Sequence, residues 1–299
     1  MSAPGPSNDT DEFRDVLQES QHIVVLAGAG LSAASGVPTF RDGGGMWRSL
    51  DATTLATPAA FASNPSLVWQ FYHYRRLKAL NAQPNDAHRL LAKLSIPSYL
   101  KTIAPAAKTY HIVTQNVDRL SVVALESLAR DLADKKSRLD RPRKDSILEM
   151  HGRLFDVKCT VCDYCVEDLT NPLCEALGAA DSHLGDYHDA GSKPNGIPEA
   201  ALPRCLSCHS LARPGVVWFG EKPLRLDDIN SLIFKADLCI IVGTSLTVHP
   251  ASTYMYRVQR HKGKVAVFNL DPTERDRRAD FVFAGPCEVE LPRVLGAVA

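Results

Sequence analysis

The apolar run His22-Ile23-Val24-Val25-Leu26-Ala27, followed at once by Gly28 and Gly30, constrains this chain more than any other stretch. A short, continuous apolar run reads as a strand buried on both faces, as in a parallel sheet. Gly28, Gly30 and Ala33 then fit the G-x-G-x-x-G/A turn, in which the backbone approaches a pyrophosphate at a helix N-terminus. Glycines after a strand also serve simple turns, so this match alone decides nothing. The next residues depart from an ordinary dinucleotide fold. Gly36 and Pro38 stop the first helix after about one turn, and Gly43-Gly44-Gly45 reads as a flexible stretch. No acid stands about twenty residues on at the end of a second strand, where a ribose partner is expected. The expectation is a nucleotide site covered by a long mobile loop in place of the usual helix.

A chain of 299 residues accommodates one large domain, or a large and a small one, with ample core. Lys+Arg number 34 and Asp+Glu number 34, so no strongly basic surface for nucleic acid is implied. No apolar run approaches the roughly twenty residues of a membrane span. The first residues are acidic and Pro/Ser-rich, unlike a secretory signal or an Arg-rich presequence. Cytosol, nucleus or both is the expected location.

Cys159-x-x-Cys162 and Cys205-x-x-Cys208 dominate the cysteine pattern. Each close pair lets two sulfurs of one turn face a single ion, and four thiolates complete a tetrahedral zinc site. Such a site has no open position, so the metal is read as structural. Cys165 and Cys174 lack a matched partner, His209 beside the second pair is a poorer candidate, and Cys165 could exchange with Cys162.

Along the rest of the chain, residues 1–8 are expected to be disordered, and Asp9 with Glu12 resembles a capping box for a short helix. Asn64-Pro65 starts a helix whose apolar stripe is Val68, Phe71, Tyr72 and Ala79, with Arg75 on the same stripe. Tyr110–Thr114 reads as a second strand with Gln115, Asn116 and Asp118 at its carboxyl end, where ligands of open parallel sheets sit. Val216–Phe219, Leu238–Val242 and Val265–Leu270 are further strand-like runs, and Leu177–Ile197 reads as surface loop. The fold class is α/β: a Rossmann-like parallel sheet with helices on both faces, over residues 20–155 and 212–299. A helical insertion spans about 48–100 and a zinc module 156–211.

The pattern GAG-x-S-x-x-SG-x-P-x-FR, with Gly28, Ser32, Ser35, Gly36, Pro38, Phe40 and Arg41, resembles the cofactor loop of sirtuins, the NAD-dependent protein deacylases. Thr114–Asp118, His151-Gly152, the two cysteine pairs, Val217–Glu221 and Gly243-Thr244-Ser245 come in the family's order. The resemblance implies that Gly28, Ala29, Gly30, Ser32, Pro38, Thr39, Phe40, Arg41, Trp47, Gln115, Gly243, Thr244 and Ser245 hold NAD. It adds Asn269 and Asp271 at the adenosine ribose and Cys287 near the adenine. Asn116 and Asp118 match residues around the nicotinamide ribose and amide, and would otherwise read as an Asx turn. His151 matches the proton acceptor, and an imidazole titrating near ambient pH suits that task. The implied reaction joins the acyl-lysine oxygen to C1′ of the nicotinamide ribose and yields lysine, nicotinamide and an O-acyl-ADP-ribose.

Val217, Trp218, Phe219, Gly220 and Glu221 resemble the strand that pairs with an extended substrate peptide. Leu55–Pro58 and Phe71–Arg76 are similar to the class III branch, which favours succinyl, malonyl and glutaryl lysine. Within it Tyr72 and Arg75 match the acid-reading pair and Ala56 the small residue that widens the pocket. His249 stands where that branch often has Tyr, and Ser121 where the family often has His. The segment 121–145 is longer than usual and basic at 135–144, a solvated excursion, an import signal or a patch for an acidic partner. Three readings remain: a desuccinylase/demalonylase, a plain deacetylase or mono-ADP-ribosyltransferase, and a non-catalytic NAD- and zinc-binding module. The partners implied are acyl-lysine proteins, with no nucleic acid and no membrane.

Overall fold

The structure, a computed structural model, describes residues 5–39, 46–47, 50–133, 140–181 and 196–296. Its strands in chain order are β1 (His22–Ala27), β2 (Met46–Trp47), β3 (Leu50–Asp51), β4 (Thr109–Thr114), β5 (Ile147–Glu149) and β6 (Gly152–Cys159). They continue with β7 (Cys165–Glu167), β8 (Ala212–Val216), β9 (Leu238–Val242), β10 (Lys264–Asn269) and β11 (Phe281–Ala284).

Six of them form a parallel sheet in the order β11-β10-β9-β1-β4-β5. The alternation along β1 divides two cores: Ile23, Val25 and Ala27 enter one, Val24 and Leu26 the other. The first core is closed by helices Thr10–Glu19, Asp86–Lys93, Leu120–Asp131 and Cys287–Leu295. Leu226–Lys235 and Tyr254–Arg260 close the second. From β1 the chain moves outward through β4 and β5, then resumes on β1's other side with β9, β10 and β11. The order reverses at β1 and β9, and a crevice opens above such a switch point. The α/β, doubly wound sheet expected from the sequence is present. No helix among the described residues is long and apolar enough to cross a membrane.

A third core lies off the sheet. Trp47, Phe61, Trp69, Phe71 and Tyr72 pack there with Leu154, Phe155, Leu177, Leu202 and Trp218. It joins helices Pro58–Ser63 and Pro65–Asn81 to a three-stranded antiparallel sheet, β7-β6-β8. Asn64 caps the longer helix, its side chain accepting from the Leu67 N–H at 2.9 Å, with Pro65 in the first turn.

Several expectations shift. Helices Asp86–Lys93 and Pro97–Ile103 pack on the main sheet through Leu90, Leu91 and Leu100, so the inserted helices end near residue 82. β6 and β8 belong to the small sheet, which therefore begins before residue 156 and ends beyond 211. The strand expected at Val216–Phe219 is instead Ala212–Val216, and 217–221 form a loop and turn. Leu177 is no surface residue: it lies in helix Glu175–Asp181 and is fully buried. Residues 5–8 are not a disordered tail, because the Ser7 N–H donates to Asp280 O at 2.8 Å and its hydroxyl to Glu12 at 2.6 Å. That second bond leaves Asp9 as a simple N-cap in place of a capping box. Lys135–Leu139 and Gly43–Gly45 lie outside the described residues.

Candidate active site

The carboxyl ends of the strands are tied together by main-chain bonds, the first of which crosses the switch point between β1 and β9. Gly28 N donates to Val242 O at 2.9 Å, Gln115 N to Ala27 O at 2.9 Å and Gly243 N to Phe268 O at 2.9 Å. Gly243 has φ +62°, and a Cβ there would stand 2.2 Å from Leu31 N. The glycines on β1 and β9 thus let two loops interlock, a tighter need than an open turn.

A cavity of about 930 Å³ runs along these ends, within the size range of small-molecule sites. Gly28, Ala29, Gly30, Ser32, Pro38, Thr39, Gln115, Asn116, Asp118 and His151 line it. So do Gly243, Thr244, Ser245, Asn269, Asp271 and Cys287 on the far side of the switch point. Asn269 ends β10 and His151 comes just after β5, four strand spacings away, a span of about 19 Å. Ala56, Tyr72, Arg75 and Val217–Glu221 line the same cavity. Trp47 does not: it is buried in the third core, its ring 5.7 Å from Phe71 in an edge contact. An aromatic of that size is worth more packed there than on a cavity wall. Phe40 and Arg41 lie outside the described residues.

Near β4 and β5 the polar groups form one network. Asn116 Nδ2 donates to Gly28 O at 2.9 Å and to Ser32 Oγ at 3.1 Å. Both amide hydrogens are engaged, so its carbonyl oxygen is left for a ligand. Asp118 is buried and accepts from the Leu120 N–H at 2.9 Å. Burial raises its pKa, and hydrogen bonding from Ser32 and the charge of Arg75 pull it back. Gly152, at φ +74°, approaches Gly215 so closely that a Cβ would lie 2.2 Å from its carbonyl oxygen. This contact sets His151 at the mouth of the small sheet. His151 Nδ1 is 3.1 Å from Gln115 O. A carbonyl only accepts, so Nδ1 carries the proton and Nε2 keeps its lone pair. Burial pushes the imidazole below its ordinary pKa, and the Gln115 carbonyl partly offsets this.

At the other wall, Trp218 Nε1 donates to the Tyr72 hydroxyl at 2.9 Å. Indole is a donor only, so the phenol oxygen accepts and its own proton remains to give. Burial pushes Tyr72 up to about 12, so it stays a neutral donor. Arg75 is one turn on, half-buried, with its guanidinium 5.8 Å from the Phe71 ring centroid. Burial lowers its pKa, opposed by Tyr72 and Asp118. Arg76, beside it, turns away: it donates to the carbonyls of Leu154, Asp168 and Thr170 at 2.7–3.2 Å and clamps the helix to the small sheet.

In the 217–221 segment, Val217 N donates to His151 O at 2.8 Å and Phe219 N to Ala56 O at 2.9 Å. Glu221 is held by both Arg213 nitrogens at 2.6 and 2.9 Å and accepts from Trp218 N at 2.8 Å. Its carboxylate is committed within the protein and braces the Trp218 turn. Arg213 also stacks 3.5 Å from the Trp218 ring centre.

The cysteine pattern resolves to Cys159, Cys162, Cys205 and Cys208, whose sulfurs all lie within 4.8 Å of one another. Individual separations are 3.5, 3.6 and 3.7 Å. A tetrahedron with Zn–S of about 2.3 Å has edges of about 3.8 Å, so the quartet fits the ion. Cys165 is exposed on β7 and neither it nor His209 belongs to the cluster.

Supports that no motif announces also appear. Arg213 could not be paired with Glu221 across a turn from spacing alone. His88 is buried 3.4 Å from Ser32, with burial holding its pKa down at about 4. Its only signal was its place three residues after the cap Asn85. Thr53, Leu154, Pro223, Thr247, Val248 and Glu288 line the cavity too, and His249 lies beside them.

Fold and site together define a dinucleotide-binding α/β protein with a cysteine-held appendage, its cavity walled by both. The Sir2 family model matches residues 28–130 and 138–250. The chain is 38% identical over 294 residues to the NAD-dependent protein deacylase sirtuin-5, mitochondrial, of Canis lupus familiaris, covering 97% of this chain and 86% of that protein. It is also 38% identical over 294 residues to the NAD-dependent protein deacylase of Daphnia pulex, covering 97% of each. A crystal structure of a Sir2 homolog–NAD complex aligns with TM-score 0.74 and 32% identity, over 98% of this chain and 95% of that one. A Sir2–p53 peptide–NAD+ structure aligns with TM-score 0.69 and 28% identity, over 96% and 97%. The chain belongs to the Sir2 family.

Proposed function

We propose that this protein is an NAD-dependent protein-lysine deacylase that favours acyl groups ending in a carboxylate: succinyl, malonyl and glutaryl. The observation that carries the reading is the joint placement of His151, Asn116, Tyr72 and Arg75 on one cavity. NAD, held by the residues lining this cavity, would supply the ADP-ribosyl group to the acyl oxygen with nicotinamide as the leaving group, and one water would complete the balance to free lysine and an O-acyl-ADP-ribose. The chain's residues orient and move protons. His151, with Nδ1–H fixed on Gln115 O, presents the Nε2 lone pair as a base for a ribose hydroxyl. Asn116 offers a carbonyl oxygen on the same wall, and Gln115, bonded from Nε2 to Thr244 Oγ1 at 3.1 Å, braces that wall.

An acyl chain entering past Ala56 meets the Tyr72 hydroxyl and the Arg75 guanidinium. A carboxylate between them accepts charge-assisted hydrogen bonds, which a neutral acetyl group cannot. The 217–221 segment and the β8 edge supply main chain for an extended peptide, consistent with broad sequence tolerance. Zinc in the cysteine quartet would be structural, with all four positions filled.

The test is nicotinamide release from NAD with matched lysine peptides bearing acetyl, malonyl, succinyl or glutaryl groups. Release that depends on peptide and is fastest with the acidic acyl groups is the expected result. Equal rates across the panel would remove the acyl preference, and no release with any peptide would remove the enzyme reading.

A further inference from the structure

Asn269 closes β10 at the cavity end farthest along the sheet from His151. Its Nδ2 donates to Thr244 O at 3.1 Å and to Asp276 Oδ2 at 3.2 Å. Both amide hydrogens are therefore spent on the protein, and the planar carboxamide leaves Oδ1 on the opposite side. Asp276 is fully buried and lines no part of the cavity. Its Oδ2 also accepts from the Thr273 N–H at 2.6 Å. Among the described residues, its Oδ1 and the neighbouring Thr273 Oγ1 are buried polar atoms without a hydrogen-bond partner. A buried carboxyl group with one oxygen unserved is costly, and such a group calls for a reason.

We infer that Asp276 is a positioning residue that locks the Asn269 amide with its carbonyl oxygen facing the cavity, so that this end reads a free ribose hydroxyl and rejects a phosphorylated one. Without Asp276 the amide is free to turn about its last torsion, since oxygen and nitrogen ends are nearly isosteric. With it, the wall presents an acceptor only. A ribose hydroxyl donates to that oxygen, whereas a 2′-phosphate, carrying about −1.5 to −2 charge, has no proton for it at neutral pH. The neighbourhood deepens the contrast. Asp271 and Glu288 line the same end, and Arg75, on the helix of the third core, is the one Arg or Lys among the described residues that line the cavity. The inference rests on the dinucleotide reading of the cavity and adds how the nucleotide class is told apart.

The experiment is calorimetric binding of ADP-ribose and of 2′-phospho-ADP-ribose, which needs no turnover. Wild-type protein should bind ADP-ribose at least roughly tenfold tighter than its 2′-phosphate, the weight of one good polar discrimination. Asp276→Ala should weaken ADP-ribose roughly three- to tenfold and narrow the ratio by the same factor. Asp276→Asn keeps an acceptor oxygen for Asn269 and Thr273 and should restore most of both. In an Asn269→Ala background, adding Asp276→Ala should change nothing further, because Asp276 acts only through Asn269. A wild-type ratio in Asp276→Ala, or independent addition of the two losses, overturns the inference. Should Asp276→Ala fail to fold, Asn269→Ala decides: an unchanged ratio there overturns it equally. Wild-type protein that binds neither ligand refutes the dinucleotide reading and this inference with it.

Discussion

The cavity has two halves of different construction. Toward the cofactor side, Gly28, Gln115, Gly243 and Asn269 are fixed by strand register, and each main-chain bond that holds them belongs to a sheet filling two cores. Toward the acyl side, Tyr72 and Arg75 ride on one helix, held through Trp218, Arg76 and a small sheet that converges on the cysteine quartet. The first half draws its order from long-range burial, the second from one helix and a cluster of four sulfurs. The lesson is that binding of the nucleotide and choice of acyl group rest on separable supports and should fail separately.

Removing the metal is the severest way to break that contrast. Structural zinc sites contribute apparent binding energies of about 10–16 kcal/mol. Chelation should therefore strip amide-exchange protection from β6 and β8 while β1 and β9 keep theirs, as tracked by mass spectrometry of deuterium uptake. Simultaneous loss in both sheets would show that the halves are one cooperative unit.

Next in size is His151→Ala, expected to lower turnover by about 10²–10⁴-fold on every acyl group while ADP-ribose still binds. Steady-state kinetics beside calorimetry check it. The same residue predicts a pH effect. Burial depresses the folded pKa below the unfolded value of about 6.5, so the native state binds fewer protons. The stability this neutral imidazole contributes is present above about pH 6.5 and is lost as pH falls through the depressed folded value. The acid limb of kcat/KM should accordingly lie below the ordinary histidine value in wild type.

Arg75→Met sharpens the comparison from the acyl side. Loss of one partner of a desolvated charge pair costs about 2–5 kcal/mol, so desuccinylation should drop by tens- to thousands-fold with deacetylation nearly unchanged. Equal losses on matched acetyl and succinyl peptides would make Arg75 a structural residue. Tyr72→Phe should act in the same direction but more weakly, by about 1–3 kcal/mol, since it also leaves the buried Trp218 N–H without its acceptor. The same pair of peptides measures it.

What could be read from the chain alone divides along the same line. Strand runs such as His22–Ala27 and Leu238–Val242, and the polar groups ending them, are local patterns whose position in a parallel sheet comes from general topology. The quartet of cysteines was equally plain because ligand spacing is written along the chain. Trp47 misled because an aromatic near a glycine loop suits a site or a core, and only packing against Phe71 settles which. Glu221 read as a peptide contact, but its oxygens are taken by Arg213, a pairing across a turn with no periodic signal. The limits of the inserted helices were blurred for a related reason. Leu90 and Leu91 face the main sheet and Phe71 and Tyr72 the third core, yet both runs look amphipathic in sequence.

Trp47, Trp69 and Trp218 are all the tryptophans the chain has, and all three lie in the third core. Seen optically, the molecule is therefore labelled on one side only. Emission excited at the red edge of protein absorbance arises wholly from the acyl-reading half, while the sheet half, with its phenylalanines and few tyrosines, stays dark. A shift of that emission to longer wavelength registers loosening around Tyr72 and Trp218 even when the nucleotide-binding strands have not moved.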